Sequence, residues 1–285
     1  MDEMLNVLTI DVEDYYHVSA FESDVRFEDW DSYESRVEQN TYRTLDLLDE
    51  HQTKATFFAL GWIAERHPKV IRCIQERGHE VASHGYSHRR IYTQTPEQFR
   101  EETRRAKRIL EDAIGHPVVG YRAASYSITA ESLWALDILE EEGFIYDSSI
   151  FPIHHDRYGI PGYSRFCHIL SGRGTEKLIE FPISTLRIQG INIPIGGGGY
   201  LRLFPYWFTR WGIRQLNEVE QQPAVVYLHP WELDPLQPRI QSNAISRFRH
   251  YLNLDKTEKR LLSLLKDFQF GTVLETLRKR GFVRH

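Results

Sequence analysis

Asn6-Val7-Leu8-Thr9-Ile10-Asp11-Val12-Glu13-Asp14 opens as a short apolar run and closes on three carboxylates within four residues. Residues 6–11 are β-branched and apolar enough to read as a buried strand. At its carboxyl end Asp11, Glu13 and Asp14 repel one another unless something positive sits among them. On an extended backbone Asp11 and Glu13 share a face, whereas Asp14 points away unless the chain turns. A solvated acidic loop is the plain reading. A divalent cation, or a base with a raised pKa, is the chemical one.

Outward from this stretch, strand-like and helix-like segments alternate. Helical spacing covers 36–51 and a stretch near 67–77 that Gly78 ends. A longer helix starts at Thr95-Pro96, where threonine caps and proline suits the first turn, and runs to about 114. Thr129 predicts the cap of a helix over 130–142, stopped by Gly143. Strands are expected at 55–60, 80–83, 118–122, 144–147, 178–183 and 224–229. This rhythm predicts an α/β fold with a parallel sheet or barrel, and 285 residues suffice for one such domain. Chemistry in such folds gathers at the carboxyl ends of strands, where Asp11, His84, Arg122, Asp147 and His229 sit.

Two segments break the rhythm. Residues 153–175, rich in His, Arg, Gly and Tyr, read as a long loop. Gly196 to Gly199 read as a flexible turn in preference to a phosphate cradle, because the lysine of a P-loop is missing. The charged tail from about 245, ending in Arg278-Lys279-Arg280, reads as a solvated helix face.

Composition narrows the function classes. A net charge of −5 argues against a nucleic-acid partner, whose phosphates demand cationic surface. No run of 18 apolar residues exists, so no membrane span is expected. Cys73 and Cys167 form no CxxC pair, which argues against a thiolate metal site and fits buried thiols in a reducing compartment. The acidic start, Met1-Asp2-Glu3, differs from a signal peptide, so a cytoplasmic location is expected. Oligomeric state is not legible.

Three further clusters carry chemistry. His84 and His88, in Ser83-His84-Gly85-Tyr86-Ser87-His88, lie four apart and can reach one cation from one side of a turn. With one carboxylate they would form a facial triad. Arg122, just past a strand, can hold a carboxylate. His229, at a strand end before Pro230, suits a general acid near neutral pH. Each alone is also compatible with an ordinary surface or core residue.

In chain order LTIDVED, ATFFALGW, SHGYSH, GYRA, YDSSIFP and LHPWE resemble the motif series of the NodB-homology polysaccharide deacetylases. The resemblance covers about residues 5–235 and leaves a helical segment over 236–285. PIHHDRYG, EFPIST and the glycine run resemble the subgroup found beside exopolysaccharide loci, related to the peptidoglycan-deacetylase and allantoinase-like branch. The resemblance implies a single-domain distorted (β/α) barrel with about seven parallel strands. It implies Asp11 as catalytic base, Arg122 as the group orienting it, His229 as the acid, and His84 and His88 as metal ligands. The family's usual metal aspartate directly follows the base. Val12 stands there, so the metal carboxylate moves to Glu13, which shares a face with Asp11, or to Asp14. A divalent metal is implied, Zn2+ by default for two histidines and a carboxylate. The implied reaction removes N-acetyl groups from amino sugars of an acetylated oligo- or polysaccharide or its precursor. Tyr126, His154, His155, Asp156 and Trp231 are expected along the sugar groove. Hydrolysis of a small cyclic amide, as in the allantoinase-like branch, is a second expectation. A non-catalytic sugar-binding protein is a third.

Overall fold

The computed structural model describes residues 4–170 and 177–284. Met1 to Glu3 and the last residues of the expected 153–175 loop lie outside the described residues. The strands, in chain order, are β1 (Asn6–Val12), β2 (Thr56–Ala59), β3 (Glu80–Ser83), β4 (Gly120–Tyr121), β5 (Tyr146–Asp147), β6 (His168–Ile169), β7 (Ile179–Glu180), β8 (Thr185–Ile188), β9 (Ile191–Pro194), β10 (Val225–Leu228) and β11 (Phe270–Gly271). Seven of them run parallel in the order β10-β1-β2-β3-β4-β5-β7, with β6 antiparallel at the far edge. This is the curled, mostly parallel sheet expected of a distorted barrel. β11 adds to the first two residues of β1. Every residue of β1 is buried, as befits a strand paired on both sides.

The ring closes through irregular backbone, not through a further ladder. After β7 the chain forms the β8–β9 hairpin and returns against β10. Ser184 Oγ accepts from Val225 N at 2.7 Å, and Gly198 N donates to Tyr227 O at 2.8 Å. A Cβ on Gly197 would fall 1.9 Å from that same oxygen, and its φ is +123°. The glycine run is therefore neither a flexible turn nor a phosphate cradle. At Gly196 to Gly198 it is a buried close approach to β10, for which a side chain leaves no room, while Gly199 is exposed and opens a helix.

Helices cover the outside: α1 (Val37–Glu50), α2 (Gly61–Arg66), α3 (Pro68–Glu76), α4 (Pro96–Ile114), α5 (Trp134–Glu141), α6 (Gly199–Leu203), α7 (Tyr206–Arg214), α8 (Ala244–Tyr251), α9 (Thr257–Asp267) and α10 (Val273–Lys279). The Thr95 start holds, with a reciprocal capping box to Gln98. The helix expected from 130 begins only at Trp134. Ser132 Oγ accepts from Thr129 N at 2.9 Å and donates to Ser127 O at 3.2 Å, so a local polar turn satisfies groups a helix would have used.

The tail departs further from its reading. Leu254, Leu261, Leu264, Val273 and Leu277 are buried, and the main core cluster draws side chains from Leu8 to Phe270. Charged residues of the tail, among them Arg247, Asp255, Lys256, Lys259, Lys266 and Arg278 to Arg280, are exposed, so the solvated face expected is one side of amphipathic helices. Cys73 and Cys167 are unpaired and half-buried. Among the described residues no helix is long and apolar enough to cross a membrane.

Candidate active site

Parallel pairing places the carboxyl ends of β1, β3 and β10 at one end of the sheet. The loops leaving them bring Asp11, Glu13, His84, His88 and His229 onto the wall of one cavity of about 630 Å3. Asp11 and Glu13 project to the same side, as their two-residue spacing requires. One ligand atom each from Glu13, His84 and His88 lies within 4.8 Å of the others.

His84 approaches Arg122 O with Nδ1 at 2.8 Å. Donating there, the ring keeps its Nε2 lone pair free for a cation. Burial lowers the His84 pKa to about 4, so the ring is neutral at pH 7. Glu13 Oε2 is buried, 3.2 Å from His88 Nε2, without the geometry of a hydrogen bond. Its other oxygen is 3.0 Å from His229 Nε2. Burial would raise the Glu13 pKa, but the imidazoles of His88, His229 and His84 hold it well below the usual carboxylate range.

Asp14 does not join this group. The chain turns after Glu13, and Asp14 Oδ2 accepts from Arg36 N at 2.7 Å, Ser35 Oγ at 2.9 Å and Val37 N at 3.0 Å. Arg36, the N-cap of α1, offers no side-chain cap, and Asp14 stands in for it from twenty-two residues away. Burial raises its pKa, an effect those donors only partly offset. Asp14 is thus occupied as a helix cap and is corrected as a candidate metal carboxylate.

Arg122 is fully buried. Its Nη1 donates to Asp11 Oδ1 and to Thr9 Oγ1, each at 2.7 Å, and its Nε and Nη2 donate to the Ser148 carbonyl and hydroxyl at 3.0 Å. Every arm of the fork is satisfied, so Asp11 is held at one oxygen while the other faces His229 Nε2 at 3.9 Å. His229 Nδ1 lies 2.5 Å from Glu232 Oε1. Burial alone would lower the His229 pKa, but the carboxylates of Glu13 and Glu232 on either side push it up to about 10.

Sequence reasoning missed the support behind His229. Glu232 is buried, and its second oxygen accepts from Arg202 Nε at 2.6 Å. Arg202, on α6, also donates to the carbonyls of His250, Leu252 and Arg249 at 2.8, 2.8 and 3.2 Å. The His-x-x-Glu spacing of LHPWE was a legible sign for Glu232. Nothing in the sequence marks Arg202.

Of the expected sugar-groove residues, Tyr126, His155 and Trp231 line the cavity. His155 stacks on Tyr158 with centroids 3.7 Å apart, and Trp231 lies between the His229 and His250 rings. His154 is exposed and lies off the cavity wall. Asp156 also lies off it, paired with His155 and Arg249. Both are corrected, because the loop turns their side chains to solvent. Asp147 points away as well, toward Ser149 Oγ at 2.5 Å, and burial raises its pKa to about 6.

A family model described as "Polysaccharide deacetylase" matches residues 25–142. The chain carries a polysaccharide deacetylase domain. A second model, a domain of unknown function called DUF3473, matches residues 148–278, beyond the deacetylase match. The chain is similar to a peptidoglycan-N-acetylglucosamine deacetylase of Bacillus cereus, 34% identical over 27% of this chain and 28% of that one. It is also similar to a chitooligosaccharide deacetylase of Bradyrhizobium, 32% identical over 33% of this chain and 41% of that one. The matches span less than half the length of these curated relatives. Among solved structures, a presumed polysaccharide deacetylase of Mycobacterium smegmatis superposes with a TM-score of 0.61 at 22% identity, over 97% of this chain and 90% of that one. An allantoinase superposes with a TM-score of 0.60 at 17% identity, over 98% and 90%. At these identities both likenesses speak to the fold of the chain alone.

Proposed function

We propose that this protein is a metal-dependent hydrolase that removes N-acetyl groups from amino sugars of a saccharide. One observation carries the reading: Glu13, His84 and His88 converge within 4.8 Å beside the Arg122-held Asp11 and the Glu232-held His229, on one cavity wall. The relatives, a peptidoglycan-N-acetylglucosamine deacetylase and a chitooligosaccharide deacetylase, support the substrate class. The resemblance of PIHHDRYG and EFPIST to the exopolysaccharide-locus subgroup supports an exopolysaccharide or its precursor as the polymer.

The donor set fits a divalent cation. Two imidazoles and a carboxylate suit Zn2+ first, and a buried carboxylate oxygen without a hydrogen-bond donor suits a ligand better than a structural group. A cation held there would supply Lewis acidity toward an amide carbonyl and a water molecule. The protein's own groups do the rest. Arg122 fixes one oxygen of Asp11, so the free oxygen, facing the cavity, accepts the proton of the attacking water. His229 carries a proton on Nε2, because flanking carboxylates favour its charged form. It delivers that proton to the departing amine, which leaves poorly as an anion. Acetate and a free amino sugar result. Tyr126 and His155 border the space a sugar would occupy, and Trp231, its faces covered by the His229 and His250 rings, presents an edge to it.

The cavity's size favours one further reading, hydrolysis of a small cyclic amide, since about 630 Å3 lies within the range of small-molecule pockets. Metal content measured beside acetate release from acetylated chitooligosaccharides, with allantoin as the competing substrate, decides between the two. Acetate release that tracks bound metal supports the proposal; turnover of allantoin alone overturns it.

A further inference from the structure

Among the described residues, five of the eleven large apolar side chains that reach solvent lie on α6, α7 and α8. Leu203, Trp207 and Trp211 are 48, 67 and 41% exposed, and Ile245 and Phe248 are 66 and 59% exposed. The first three belong to α6 and α7, the other two to α8. On α7 Trp207, Trp211 and Arg214 are exposed and Arg210 half-buried, the spacing of one helix face, while Thr209, Gly212 and Ile213 are buried on the other. On α8, Ile245, Phe248 and Arg249 likewise share a face opposite buried Ser246 and His250.

The α8 face and Leu203 of α6 adjoin the catalytic cavity, and α7 directly follows α6 in the chain. Leu203, Ile245, Phe248 and Arg249 line its mouth. From its wall an aromatic path leads to α7: Tyr200 to Phe204 at 6.4 Å, Phe204 to Phe208 at 4.9 Å, Phe208 to Trp211 at 5.8 Å. Charge is equally biased. The chain carries net −5, yet residues 199–217 and 235–254 contain arginines and no Asp or Glu. Arg210 pairs with Asp267 and Arg249 with Asp156, while Arg214, Arg239 and Arg247 are exposed without an ion-pair partner among the described residues.

Exposed tryptophans beside unpaired arginines, with no carboxylates in either stretch, are the side chains that settle at an anionic lipid surface. We propose that the α7 and α8 faces dock on the surface of an anionic membrane and set the catalytic cavity against it. The protein then lies on the bilayer and reaches saccharide presented from it.

Flotation of the full chain with vesicles tests this, and its outcome does not depend on deacetylase activity. Wild-type protein floats with phosphatidylglycerol-phosphatidylethanolamine vesicles, floats less with phosphatidylcholine vesicles, and is released by salt. The W207S/W211S double variant, changed at exposed positions off the cavity wall, loses about tenfold or more in partitioning. R214Q/R247Q loses about fivefold for each arginine on anionic vesicles and little on neutral ones. Unchanged thermal midpoints certify that both variants are folded. Absence of flotation, or equal flotation of wild type and variants, overturns the proposal. So does a wild-type dimer that the tryptophan variant dissociates while neither binds vesicles, because the face then serves a second copy. Quenching of tryptophan fluorescence by soluble chitooligosaccharide without vesicle binding also overturns it.

Discussion

Adjacent carboxylates at the end of β1 have opposite duties, and two substitutions separate them. Asp14→Ala removes the acceptor for Arg36 N, Val37 N and Ser35 Oγ at 2.7, 3.0 and 2.9 Å, and for Tyr15 N at 3.1 Å. Each buried donor so orphaned costs about 1–3 kcal/mol, and a lost helix cap about 1 kcal/mol. The wild-type side chain itself is penalised by burial, as its raised pKa records, which offsets part of the loss. The net expectation is about 2–4 kcal/mol. Unfolding entropy near 2.1 cal/mol/K per residue gives roughly 0.6 kcal/mol/K for a chain of 285 residues, so the melting midpoint falls by roughly 3–7 °C. Bound metal stays at the wild-type level. Glu13→Gln is expected to behave inversely. It weakens metal binding by about 100-fold or more, since it removes one of three ligands, and any fall of its midpoint in chelator reports the lost charge among His88, His229 and His84 and not a lost helix cap. Calorimetric melting in chelator, beside metal titration of both variants, reads the two effects separately. If Asp14→Ala sheds the metal while Glu13→Gln keeps it, the assignment of cap and ligand is reversed and the reasoning fails.

Other consequences are equally open to measurement. Arg122→Lys keeps a charge but cannot serve Asp11, Thr9 and Ser148 together, so turnover should fall by about 100-fold or more with metal retained; near-normal turnover would remove Arg122 from the positioning role. Glu232→Gln deletes an anion 2.5 Å from His229 Nδ1, and the alkaline limb of the activity profile should move down by roughly one to three pH units; an unmoved limb would assign that limb to another group. In chelator-treated protein His229 binds its proton more tightly folded than unfolded. Its stabilising contribution is therefore full below pH 6.5 and lost as pH rises toward 10, which urea midpoints across that window would register. Gly197→Ala sets a Cβ 1.9 Å from Tyr227 O at a φ of +123°, so soluble yield and melting midpoint should both drop; a stable variant would mean that the closure gives way easily.

The parts of this molecule that could be read from sequence are those where one local rule decides. The strand at 6–11 ends one residue later than expected, at Val12, and the Thr95 cap falls where predicted, because apolar patterning and N-terminal chemistry are properties of a few neighbouring residues. The same holds for the two-residue offset that sets Asp11 and Glu13 on one side. What stayed hidden depends on distant partners. Asp14 could be told from Glu13 only once residues 35–37 were seen to fold against it. Gly196 to Gly198 carry no sign of the strand they press upon. Arg202 looks like any arginine until Glu232 and three carbonyls near residue 250 surround it. The tail read as solvated because its leucines are interleaved with charges, although one face of each helix is buried.

A chain ending after Asp234 would retain all six recognised motifs. It would also strand a guanidinium whose counterparts at Arg249, His250 and Leu252 had gone. Arg202 would be free to swing off Glu232, and the imidazole of His229 would lose the brace that fixes its ring and its proton. Truncation at the motif boundary should therefore cost the acid its tuning and the fold part of its core together, because Arg202's carbonyl partners and the buried Leu261, Leu264, Val273 and Leu277 all lie past the last motif.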